Sequence, residues 1–220
     1  MNDNNTARFT RKGRATQARI VDVAAKLMFQ RGAAGTSIDE VRNAAAVSGS
    51  QISHYFRDKR DLTRKVISAR RDDVRQFHSQ PKLGALDSFE ALQAWAEANV
   101  ADINGVYRKG GCVYGSLASE LVEADAEIHG DLATGYDEWI ELFYAGLTEM
   151  RQRGDLRPDA DPRHLAVSLV AAHQGGAMLT YITDSPEPLR AAVNAAVEYV
   201  RSFAPTSRKP RPATRRKSRG

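Results

Sequence analysis

The chain has 220 residues, 42% of them hydrophobic and 27% charged, the balance of a folded globular protein, which excludes wholesale disorder. One cysteine excludes an internal disulfide or a cysteine-rich zinc site, and neither a secretory leader nor a run of 18 apolar residues is read, so a cytoplasmic protein with no membrane partner is expected. The net charge of +5 hides an asymmetry: residues 1–80 carry 16 Lys and Arg against 8 Asp and Glu, residues 81–203 carry 9 against 19, and residues 204–220 carry 7 against none. A basic front and an acidic middle suggest that one region meets a polyanion and another does not.

In chain order the apolar residues repeat at helical spacing and strand-like alternation is nearly absent. The first helix is predicted over 14–31, with Ile20, Val23, Ala24, Leu27 and Met28 as one stripe, stopped by Gly32 and Gly35. Ser37 and Glu40 have the spacing of a capping box and open a second helix ending near Ala45. Ser48 and Gln51 repeat that spacing and open a third, short helix carrying Ile52, Tyr55 and Phe56. Asp58 caps a fourth helix running to about His78, and Pro81 and Gly84 mark a boundary. A fifth helix is predicted over 87–108 and a short sixth from the 110–116 turn to about Glu123. A long seventh follows over 125–153. Asp161–Pro162 opens an eighth helix to about Ile182, and Ser185–Pro186 a ninth to about Phe203. From Ala204 the composition cannot form a core, and a disordered basic tail is expected.

Residues 37–56 form a helix-turn-helix pattern. The polar face of the third helix (Gly49, Ser50, Gln51, Ser53, His54) is small or hydrogen-bonding, which suits a helix pushed into a major groove. Arg8, Arg11, Lys12, Arg14, Arg19, Arg42, Arg57, Lys59 and Arg60 lie around it as candidates for phosphates.

The stretches 20–32, 36–48 and 52–62 (ISHYFRDKRDL) resemble the N-terminal domain of TetR-family transcriptional repressors. The resemblance implies an all-α protein of about nine helices. A basic arm (1–13) and a helix-turn-helix domain (14–60) would precede a helical effector-binding and dimerisation domain (61–203) and the tail (204–220). It places Thr36, Ser37, Ser50, Gln51, His54, Tyr55 and Lys59 on DNA-facing positions. Two residues depart from the family pattern. Ala46 stands where glycine is usual, at a cost of roughly 1 kcal/mol if the turn needs a positive φ. Ser53 stands where an aromatic is common, which removes one usual phosphate contact.

Residues 111–128 and 154–162 resemble, more weakly, one effector-sensing branch of that family. Its last two helices pair with their symmetry mates, which implies a homodimer. Leu165, Leu169, Gly176, Leu179, Val193 and Val197 are the candidates for that interface, beside small residues that allow close helix approach. Trp95, Tyr107, Tyr114, Tyr136, Trp139, Phe143, Tyr144 and Met178 are candidate liners of a pocket for a small apolar or aromatic effector. Cys112 is a candidate redox sensor, because it precedes a helix whose N-terminal field can lower a thiol pKa. His129, His164 and His173 have no metal-ligand spacing, and no metal, cofactor or catalytic residue is read. The expected function is a ligand-responsive repressor bound as a homodimer to a palindromic double-stranded DNA operator. The alternatives are a small-molecule-binding or enzymatic helical bundle with an incidental basic front, and a binder working mainly through charge.

Overall fold

The computed structural model describes residues 9–101, 103–107, 112–122 and 126–205. Arg8 and nearly all of the basic tail, both singled out above, lie outside the described residues. Among those described there are nine α-helices and no strand: α1 (Arg11–Arg31), α2 (Ile38–Ala44), α3 (Gly49–Tyr55), α4 (Lys59–His78), α5 (Phe89–Ala101), α6 (Val113–Leu121), α7 (Ala126–Arg153), α8 (Pro162–Thr183) and α9 (Glu187–Arg201).

The helix starts follow local chemistry. Ser37 and Ser48 each accept from the backbone N–H three residues on, while Glu40 and Gln51 return the bond to the cap, so both capping boxes form. Asp58 caps α4 and Asp161 caps α8 ahead of Pro162. The predicted fifth helix breaks early. It stops at Ala101, and Ile103–Tyr107 winds as a π turn instead, an irregularity that apolar periodicity does not reveal.

Two cores organise the packing. Ile20, Ala24 and Met28 of α1 meet Val41, Ile52, Leu62 and Val66, and this cluster continues into Tyr114 and Leu117 of α6 and Ile128 and Leu132 of α7. The second joins Leu92 and Trp95 of α5, Phe143 and Leu147 of α7, Leu165 and Leu169 of α8 and Val193 and Val197 of α9. The division expected at residue 60 therefore falls in the first turn of α4, which runs on to His78 and reaches both cores. α8 is long and apolar enough, by length and composition, to cross a membrane; here its Leu165–Leu169 face is core.

Candidate nucleic-acid interface and effector cavity

The α2–turn–α3 unit is held from outside itself. The Arg19 guanidinium of α1 donates to the Ala45 carbonyl at the end of α2. Ala46 then takes φ +50°, the left-handed geometry that favours glycine. Ser50, Gln51, Ser53 and His54 are exposed on α3, Tyr55 is half-buried, and Ile52 points inward. Gln51 spends its side-chain oxygen on the Ser48 N–H at 2.9 Å, which leaves its amide N–H groups for a partner. The Ser50 hydroxyl lies 2.9 Å from that of Ser48.

Thr36 does not fit a DNA-facing role. It is buried and its hydroxyl donates to the Gly32 carbonyl at 2.8 Å, closing the α1–α2 turn. Ser37 is exposed, with its hydroxyl engaged in the capping box. Several cations named for phosphates are also committed. Arg42 pairs with Asp39 at 2.8 Å, Arg60 with Glu127 at 3.1 Å, and Lys59 donates to the Ala34 carbonyl at 3.3 Å. Arg11 and Lys12 are exposed on the first turn of α1.

Behind the head lies a cavity of about 200 Å³ lined by Phe77, His78, Asn99, Tyr107, Cys112, Tyr114, Trp139 and His173, with Arg70, Asp73 and Val74. Its polar groups are joined in a chain of hydrogen bonds that ends at His173, whose buried Nδ1 has no partner among the described residues. His78 Nδ1 lies 2.7 Å from the Val74 carbonyl and so carries the proton, while Nε2 accepts from the indoles of Trp95 and Trp139, each at 3.1 Å. Asn99 donates to the Trp95 carbonyl at 2.8 Å, so its oxygen receives the Tyr107 hydroxyl at 2.8 Å. The phenol oxygen in turn receives His173 Nε2–H at 2.9 Å. Burial holds both imidazoles neutral, pushing His78 down to about 4 and His173 to about 3.

Of the predicted liners, Tyr107, Tyr114 and Trp139 face this cavity. Trp95 and Phe143 do not; they are wholly buried behind it, edge to face at 5.0 Å. Tyr136 and Met178 line a separate apolar groove between α6 and α8, with Cys112 on the border of both. Tyr144 is half-buried against the second core. His78, Asn99 and His173 were missed. The signal was there: His173 continues the Leu165–Leu169 stripe at helical spacing, an isolated polar residue on an apolar face.

The Cys112 thiol is pushed up by burial, against the lowering expected at a helix entry, and the Gln174 amide donates to its sulfur at 3.5 Å. The interface candidates divide. Leu165, Leu169, Val193 and Val197 are fully buried within the protomer, so no partner can reach them. Gly176 is also internal, because a Cβ there would sit 2.9 Å from Leu189 Cα. Leu179 is exposed, together with Val167, Met178, Tyr181 and Ile182 of α8 and Tyr199 of α9.

The cavity and the head share α6. Cys112 is the cap residue just before this helix, and the Glu120 carboxylate in its last turn accepts from the backbone N–H groups of Ala33 and Ala34, both at 2.7 Å. Nothing in the sequence pattern marks Glu120, because its partners lie more than eighty residues away in backbone.

Comparison with known proteins agrees with this architecture. Residues 20–66 match the family model "Bacterial regulatory proteins, tetR family" and residues 88–196 match "Tetracyclin repressor-like, C-terminal domain". The chain is 23% identical over 171 residues to the HTH-type transcriptional repressor DhaR of Mycobacterium sp. (strain GP1), covering 77% of this chain and 84% of that protein. It is 25% identical over 166 residues to the transcriptional regulator AcuR of Cereibacter sphaeroides, covering 74% of each. The crystal structure of a TetR transcriptional regulator from Chloroflexus aurantiacus J-10-FL superposes with a TM-score of 0.78 at 25% identity, over 89% of this chain and 98% of that one. The chain belongs to the TetR family of transcriptional regulators and is a DNA-binding repressor of that family.

Proposed function

We propose that this repressor binds a palindromic operator as a homodimer in the cytoplasm and is released by a small, uncharged, largely apolar effector. Residues 14–60 serve as the reading head and residues 61–203 as the effector and dimerisation domain. The observation that carries the reading is the continuity of cavity and head. Tyr114 of α6 and Cys112, the residue that caps it, line the cavity, and Glu120 on the same helix grips the turn between α1 and α2. A ligand acts only through differential affinity for two states, and α6 supplies an element whose position both sites feel. The effector chemistry follows from the lining: aromatic walls and two imidazoles that burial keeps neutral favour a ligand without charge. No step of this function needs catalysis, a metal or a cofactor.

Each subunit would place α3 in one major groove, with half-sites about one helical turn apart, near 34–36 Å. Selection of bound sites from random DNA tests this directly. The expected result is an inverted repeat bound by one dimer. Selection that returns no sequence preference would reduce the protein to a charge-driven binder, and a single unrepeated half-site would remove the dimeric operator.

A further inference from the structure

We propose that Phe9, which precedes the first helix, is a specificity-determining residue that positions His54 for base reading. α3 has seven residues and ends at Phe56, which is already extended. His54 stands exposed on its last turn. An exposed imidazole on so short a helix would sample several rotamers, and ordering it on DNA would cost affinity and blur the base it prefers. Phe9 removes that freedom. Its ring lies 5.3 Å from the His54 ring at 70° and 5.1 Å from Tyr55 at 58°, and His54 and Tyr55 lie 5.1 Å apart at 72°. The three rings brace one another in the edge-on arrangements that aromatic pairs prefer.

Phe9 is itself held. The Arg14 guanidinium donates to its carbonyl at 2.7 Å, and the Thr10 hydroxyl caps α1 by accepting from Gly13 N–H at 3.1 Å. Gly13 leaves room for the cluster, since a Cβ there would lie 3.3 Å from Phe9 Cβ and 3.5 Å from the Tyr55 hydroxyl. The start of α1 and the end of α3 thus form one unit, and one face of the imidazole is fixed by a residue outside the helix-turn-helix.

This rests on α3 reading the operator through His54, and the experiment separates the two ideas. Binding of the full-length protein is measured on the selected operator, on operators with each base pair changed, and on random DNA, for Phe9→Ala, His54→Ala and the double variant. Phe9→Ala is expected to lose about tenfold in discrimination at the same base pair that His54→Ala affects. It should leave random-DNA affinity and its salt dependence as in the wild type. In the His54→Ala background it should change nothing further, and Phe9→Tyr should restore the preference. Losses that multiply in the double variant, a loss shared equally by operator and random DNA, or full discrimination in Phe9→Ala while His54→Ala loses it would each overturn the proposal. Full discrimination in His54→Ala would overturn the reading role of His54 and the proposal with it.

Discussion

Ala46 is the most exposed cost in the reading head. Its φ of +50° forces a Cβ toward the following carbonyl, a penalty of roughly 1 kcal/mol that glycine avoids. Ala46→Gly should therefore raise the unfolding free energy by up to about 1 kcal/mol, offset in part by the greater freedom of glycine in the unfolded chain. Chemical denaturation decides it, and a midpoint that falls would mean that the left-handed turn is not strained. The buried imidazoles make a second residue-scale prediction. Both have pKa values depressed below the ordinary 6.5, to about 4 for His78 and about 3 for His173. Between those values and 6.5 the unfolded chain binds protons that the native chain refuses, so stability is full above 6.5 and falls as pH drops through that window. The contribution of each is at most about 1.4 kcal/mol per pH unit. Denaturation of His173→Phe across pH 7.5 to 5 should show a slope shallower by up to one proton; an unchanged slope would mean that His173 takes up its proton as readily in the folded chain as in the unfolded one.

The elements were legible in the sequence where their signals are local. Ser37 with Glu40, Ser48 with Gln51, and Asp161 with Pro162 each announce a helix start through bonds that reach three residues or fewer. The positive φ at Ala46 was suggested only by the family resemblance, which puts glycine at that position; an alanine carries no local sign of it. The site was less legible because its contacts cross the chain. Trp139 and His78 are 61 residues apart in sequence, and Tyr107 and His173 are 66 apart. Periodicity shows that Leu165 and Val193 face something apolar; it cannot say whether that surface belongs to the same protomer or to another, and here it is the same one. Glu120 is the case with functional weight. Its bonds to Ala33 and Ala34 tie the end of α6 to the turn that starts the helix-turn-helix. Glu120 is exposed but accepts two bonds as a carboxylate, one from the buried Ala33, so truncation should cost about 1–3 kcal/mol of stability. The larger expected effect is on coupling: Glu120→Ala should bind operator within a few-fold of wild type yet need more effector to be released, because α6 can then move without the turn. Operator release titrated with effector measures this. A wild-type release curve would mean that coupling runs through α4 and its Arg64 contacts to Glu127 and Asp131 on α7 instead.

At the scale of the whole molecule, the two cores leave one apolar face uncovered. Val167, Met178, Leu179, Tyr181 and Ile182 lie along the outer side of α8, with Ile182 at 67% exposure, and Tyr199 of α9 adds to them. Large apolar groups gathered on one helix face ask for a partner. A second copy of the chain is the partner that fits, since a two-fold axis buries the same patch on both subunits. This face, rather than the wholly buried Leu165, Leu169, Val193 and Val197, is where a substitution should separate the subunits without unfolding them. Ile182→Glu puts one new carboxylate on each copy, and two carboxylates brought into a dry interface suffice to oppose association. In the isolated protomer the same side chain meets water and should change stability by no more than about 0.5 kcal/mol. Leu169→Glu is the contrast, a charge placed in the core, and should unfold the domain. Sedimentation should find Ile182→Glu monomeric at concentrations where the wild type is dimeric, with an unchanged melting curve per protomer. Operator affinity should fall steeply with it, because a monomer holds one half-site and loses the effective concentration that a tethered second head provides. A variant that stays dimeric and holds the operator as the wild type does would move the interface away from this face of α8.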